Sequence, residues 1–140
     1  MPAKGSAEWK GDVPTGTGTF TAGDSISGGY TFKSRFEDGP GSNPEQLIAA
    51  AHAACYSMAF SNGLSKAGHK VERLNTTAEV EFVPGPGITT ITLTTVGHIH
   101  GIDAAEFQKE AEAAKEGCPI SKALHGNVTL KLNARLDLEH

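Results

Sequence analysis

Two cysteines, Cys55 and Cys118, are the residues of this chain best suited to covalent chemistry. A thiolate is a nucleophile, and two thiols can cycle with a disulfide. Nearly half the chain separates them, so they form no local C-x-x-C motif, and pairing requires a fold that brings their Cα atoms within about 7 Å. Cys55 ends the small apolar run Leu47-Ile48-Ala49-Ala50-Ala51-His52-Ala53-Ala54-Cys55. Free cysteine is among the most buried residue types, so a packing role stays open beside a reactive one. No Lys or Arg lies within a helical turn of Cys55, and a reactive thiol there needs a cation or donor brought in by folding. Cys118 differs, because Gly117-Cys118-Pro119 puts its sulfur at the N-cap of a helix that starts with proline. Helix N-termini lower thiol pKa values, and cysteine is a poor cap compared with Ser, Asn or Asp, which favours chemistry over capping at this position.

Three further residues bear on these sulfurs. Arg35 and Glu45 flank the tight loop Gly39-Pro40-Gly41-Ser42-Asn43-Pro44. Separately each has an ordinary explanation, a solvated strand-end cation and a carboxylate favoured by a helix dipole. Together they can pair, and a paired guanidinium held over a sulfur would stabilise its thiolate. His52 and Cys55, three apart, have the spacing of two metal ligands, but zinc needs two more, so a packed or hydrogen-bonded His52 is the simpler reading.

The elements that must position these residues follow from periodicity. Ala7 to Lys10, Gly16 to Phe20 and Tyr30 to Arg35 alternate between glycines and read as three strands. Asn43 as N-cap, Pro44 at the first position and Gln46 at the third predict a helix from Pro44 to about Lys66. At about 1.5 Å per residue it spans about 35 Å, and its small apolar residues on nearly every side predict a central helix buried all round. Val71 to Phe82 and Ile88 to His98 form a hairpin about Pro84-Gly85-Pro86-Gly87. A helix capped by Asp103 runs from Ala104 to Lys115 and ends at Gly117, a short helix follows Cys118-Pro119 to about Leu124, and Val128 to Leu136 is a last strand. That order predicts an α+β fold with a largely antiparallel sheet.

Composition bounds the function classes. The 140 residues predict one domain over 1–137, with Leu138-Glu139-His140 resembling a vector junction into a histidine tag. A net charge of -4 without clustered Lys and Arg gives no attraction for nucleic acid or anionic lipid. The apolar runs fall short of the roughly 20 residues of a membrane helix, and no secretory signal pattern opens the chain. The expected location is the cytoplasm, where two cysteines would form only a transient, chemical disulfide.

Three blocks of the chain carry a family resemblance: Tyr30-Thr31-Phe32-Lys33-Ser34-Arg35-Phe36-Glu37, Asn43-Pro44-Glu45-Gln46-Leu47-Ile48-Ala49-Ala50-Ala51-His52-Ala53-Ala54-Cys55-Tyr56-Ser57-Met58-Ala59, and Gly117-Cys118-Pro119-Ile120-Ser121. In order and spacing they resemble the OsmC/Ohr family of osmotically inducible and organic-hydroperoxide-resistance proteins, the OsmC branch in particular, over nearly the whole chain. The resemblance implies an intertwined homodimer, with mostly antiparallel sheets wrapped around long central helices and sites where the subunits meet. It implies a cysteine-based peroxidase that reduces organic hydroperoxides, with Cys55 peroxidatic, Cys118 resolving, and Arg35 with Glu45 activating the thiolate. No cofactor and no metal are implied, and the reductant would be an external dithiol of the lipoyl type. Phe36, Tyr56, Met58 and Ile120 are candidates for an apolar substrate mouth. The competing reading is a non-enzymatic small-ligand-binding or redox-sensing protein, and a third is a structural zinc protein.

Overall fold

A computed structural model of the chain describes residues 1–137; the expected tag remnant, 138–140, lies outside the described residues. The chain divides into two compact units, Met1–Leu47 and the residues from Ile48 onward.

In the first unit, strands β1 (Gly5–Lys10), β2 (Thr17–Ala22) and β3 (Ile26–Tyr30) form an antiparallel meander in chain order. Gly18 pairs with Trp9 on one side and Tyr30 on the other, and a Cβ there would meet both rings at 2.6 Å. Its missing side chain lets the two rings approach to 5.4 Å between centroids. The third strand ends at Tyr30, not Arg35 as the alternation predicted, and Phe32–Phe36 is a short helix, α1. The physical reason is a reciprocal cap. The Thr31 hydroxyl accepts from the Ser34 N–H at 3.1 Å, while the Ser34 hydroxyl accepts from the Thr31 N–H at 2.8 Å. Two donors satisfied this way favour a helix start over one more strand residue.

The loop after α1 is tied down from both sides. Asn43 donates to the Ser34 carbonyl at 2.8 Å and accepts from the Gln46 N–H at 2.7 Å, so one buried side chain both anchors the loop and caps the long helix α2 (Pro44–Lys66). Gly41, at φ +109°, brings the loop so close to the Gly29 carbonyl that a Cβ would lie 2.9 Å from that oxygen.

In the second unit, β4 (Val71–Val83) and β5 (Gly87–Ile99) form the expected antiparallel hairpin. Helix α3 (Ala104–Gly117), capped by Asp103 at 2.8 Å from the Glu106 N–H, leads into α4 (Pro119–Leu124) and then β6 (Thr129–Leu136). This helical crossover returns β6 parallel to β5, so β5 lies between an antiparallel and a parallel neighbour. The α+β expectation with mostly antiparallel pairing holds.

Helix α2 departs from its expected burial. His52, Tyr56, Phe60 and Leu64, one every four residues, form a single fully buried face, whereas Ala50, Ala51, Ala54, Met58 and Asn62 are exposed in the chain by itself. Small apolar residues on all sides permit close contact everywhere, but one chain covers only the face turned to its own core. That core joins Tyr56, Phe60 and Leu64 to Leu93 and Ile99 of the sheet and to Phe107 of α3. The ring of Phe60 lies 5.7 Å from Tyr56 and 5.3 Å from Phe107. Because Phe60 is fully buried between two rings, Phe60→Ala is expected to cost about 3–5 kcal/mol, measured as a lower urea midpoint with an unchanged slope.

Candidate active site

Arg35 sits in α1 and Glu45 in the first turn of α2, and the anchored loop between them makes them neighbours. Nε and Nη2 of Arg35 donate to the two carboxylate oxygens of Glu45, each at 3.0 Å. A two-pronged bond of this kind fixes the plane of the guanidinium. Both side chains keep some exposure, so the pair's main effect is orientation rather than stability. The guanidinium also lies 5.1 Å from the Phe36 ring centroid, at the edge of a cavity of about 110 Å³ lined by Trp9, Tyr30, Phe32 and Phe36. The pairing anticipated from the flanking positions is therefore formed, from a helix where the sequence suggested a strand end.

The second unit brings the two cysteines together as free thiols. Cys118 is fully buried at the joint of α3 and α4, extended at φ -60° and ψ 127°, and its side chain makes no capping hydrogen bond. Cys55, half-buried on α2, meets both the Cys118 side chain and the backbone N–H of Ile120. Burial pushes the Cys55 thiol above its ordinary pKa, the Ile120 N–H pulls the other way by favouring the thiolate, and the neighbouring Cys118 raises it further. The start of α4 thus places a backbone donor beside Cys55. Within this unit the balance of these effects favours the thiol form of Cys55.

His52 and Ser121 are contacts that spacing alone did not pair. His52 lies three residues before Cys55, Ser121 three after Cys118, and His52 Nε2 is 2.8 Å from the Ser121 hydroxyl. Both are buried, and His52 Nδ1 has no hydrogen-bond partner among the described residues. The one available signal was this matched offset from the two cysteines. Tyr56 does not line a mouth: it is fully buried, its hydroxyl donates to the Ala111 carbonyl at 2.9 Å, and burial pushes its ionisation far above the usual phenol range. Met58 and Phe36 are exposed and Ile120 is half-buried. Among the described residues no group of three or more His, Cys, Asp or Glu could hold a metal ion, and no helix is long and apolar enough to cross a membrane.

Burial holds the His52 imidazole below its ordinary pKa of 6.5, so the folded protein keeps it neutral while the unfolded chain takes up a proton as pH falls through that value. Stability should therefore drop as pH falls below about 6.5. Denaturant unfolding at pH 7.5 and pH 5.5 checks this, with the deficit of His52→Gln relative to wild type expected to shrink at the lower pH.

The family model described as OsmC-like protein matches residues 37–133, which include Glu45, Cys55 and Cys118 and begin just after Arg35. Peroxiredoxin OsmC of Escherichia coli (strain K12) is 42% identical over 132 residues, covering 91% of this chain and 92% of that protein. Organic hydroperoxide resistance protein OhrB of Bacillus subtilis (strain 168) is 32% identical over 96 residues, covering 68% of this chain and 71% of that protein. The crystal structure of OhrB from Bacillus subtilis superimposes with a TM-score of 0.67 at 27% identity, covering 96% of this chain and 98% of that one. An OsmC-like protein from Mycoplasma pneumoniae shares the fold at a TM-score of 0.77 and 15% identity, covering 97% of each chain. On sequence and fold together, this chain belongs to the OsmC-like protein family.

Proposed function

We propose that this protein is a cysteine-based peroxidase that reduces organic hydroperoxides to alcohols. The observation that carries the reading is the meeting of two free thiols, remote in sequence, in the second unit. Relatives named peroxiredoxin and organic hydroperoxide resistance protein support a peroxide-related redox role for the protein.

In this mechanism the Cys55 thiolate attacks the distal oxygen of the hydroperoxide. The O–O bond breaks, the alkoxide takes a proton and leaves as alcohol, and Cys55 becomes a sulfenic acid. The Cys118 thiol then attacks that sulfur, forming the S–S bond as the S–O bond breaks and water departs. An external dithiol, of the lipoyl type in this reading, restores both thiols by exchange. Arg35, oriented by Glu45, supplies the positive charge that a half-buried thiolate requires. The resetting chemistry suits a reducing compartment such as the cytoplasm.

A homodimer is part of the proposal. It is supported by the exposed Ala51, Ala54 and Met58 of α2, the last 77% exposed, beside a groove of about 520 Å³ whose lining mixes Ala53, Ala54, Leu74 and Val96 with Ser57, Asn75 and three threonines. Exposed small apolar residues along a helix suit close packing against a second copy.

Intact mass and free-thiol count after one equivalent of cumene hydroperoxide test the chemistry. Wild type should lose both thiols as an intramolecular disulfide, and Cys118→Ser should stop at a trappable sulfenate on Cys55; survival of both thiols in wild type would turn the reading toward a ligand-binding protein. For Arg35→Ala, the pH profile of Cys55 alkylation should move to higher pH than in wild type. An unmoved profile removes Arg35 from the site.

A further inference from the structure

The joint between α3 and α4 carries Cys118, which is buried in the apolar core with Ile120 packed against it, but apolar packing is not directional. Helix α4 has six residues, too short to be stable on its own, and Cys118 caps it without a side-chain hydrogen bond. Backbone bonds run from the Cys118 N–H to Ala114 and from the Lys122 N–H to Cys118, at 2.9 and 3.0 Å. They fix the local chain path, but neither reaches α2. The His52–Ser121 bond does, at 2.8 Å, linking the helix of Cys55 to the helix of Cys118.

The chemistry of His52 argues against simple packing. Both partners are buried, His52 fully and Ser121 at 2% exposure, and Nδ1 of His52 is without a partner among the described residues. An imidazole with one stranded nitrogen is a worse core filler than leucine, because an unsatisfied buried polar atom forfeits its hydration. What the imidazole contributes that leucine lacks is one directional bond. That bond lands three residues beyond Cys118, on the same short helix whose Ile120 N–H acts on Cys55.

We propose that His52 and Ser121 are positioning residues that hold α4 against α2 so that the Cys118 thiol stays within reach of Cys55 for disulfide closure. The inference rests on the proposed two-cysteine chemistry and adds to it the element that sets the effective concentration of the second thiol. In closure the Cys118 sulfur bonds to the oxidised Cys55 sulfur, the group on Cys55 leaves, and the Cys118 proton departs with it: water from a sulfenic acid, glutathione from a mixed disulfide. Loosening α4 lowers the closure equilibrium even where both thiols remain present and the chain remains folded.

The test measures the Cys55–Cys118 disulfide equilibrium in defined mixtures of reduced and oxidised glutathione, an oxidant that bypasses peroxide. It compares wild type, His52→Leu, His52→Gln, Ser121→Ala and Ser121→Thr, each shown to be folded by circular dichroism. His52→Leu and Ser121→Ala should lower the closure constant at least tenfold. His52→Gln, which keeps an amide near the Nε2 position, and Ser121→Thr, which keeps the hydroxyl, should return it to within about threefold of wild type. Ser121→Ala removes a single oxygen, so it keeps the test decisive should His52→Leu fail to fold. An unchanged constant in Ser121→Ala, or an equal loss in the conservative and non-conservative variants, overturns the proposal, as does a wild type that forms no disulfide with glutathione. A wild type that closes with glutathione but consumes no cumene hydroperoxide defeats the peroxidase reading alone, and the His52 inference is then decided by the variant constants.

Discussion

The break in the helix at Cys118-Pro119 is the constraint on which the thiol pair depends. Proline lacks an N–H and its ring pushes the preceding residue out of helical backbone, so α3 must stop at Gly117 and Cys118 becomes the end of one helix and the cap of the next. A continuous helix would bury the Ile120 N–H in its own hydrogen-bond ladder. The break frees that donor at the start of α4, and it acts on Cys55. Because a helix as short as α4 cannot hold its own position, the joint is set by the core around it: Ile120 against the apolar cluster and Ser121 against His52.

Electrostatics sets the second requirement. Taking the Cys55 thiol out of water disfavours its charged form, and the Cys118 sulfur beside it adds to that effect, so proximity to a second cysteine does not by itself make Cys55 a better nucleophile. The first unit holds an oriented cation of its own. A guanidinium bonded through two nitrogens to one carboxylate keeps its charge and loses its freedom to rotate, which is what a directed electrostatic contact needs. The supports of that pair are side chains bonded to backbone groups: the Thr31–Ser34 cap that makes α1, and Asn43, which anchors the loop with its side-chain NH2 and starts α2 with its side-chain oxygen.

Much of this organisation was legible in the residues. The start of α2 at Asn43-Pro44, the cap at Asp103, the turn between β4 and β5 and the break at Cys118-Pro119 are local events, each decided by a side chain within three or four positions of the backbone group it satisfies. The misread segment was local too. Tyr30 to Arg35 alternates like a strand, and the competing signal, a Thr and a Ser three apart, is a weaker version of the usual helix-start pattern. Tyr56 and the exposed side of α2 were misplaced for a different reason, since periodicity reports how apolar a helix is and not which of its faces meets its own core.

The sequence by itself determined which side chains are available for sulfur chemistry, where helices begin and end, and through three ordered blocks the family to which the chain belongs. Tertiary structure alone decided that Cys55 meets Cys118, that the Ile120 N–H lies against Cys55, and that His52 bonds to Ser121. The division has a physical cause. Caps and turns are satisfied within a few residues and leave a mark in the local pattern, whereas contacts between α2 and α4 join residues more than sixty positions apart and depend on how a whole core packs, which no short stretch of sequence encodes.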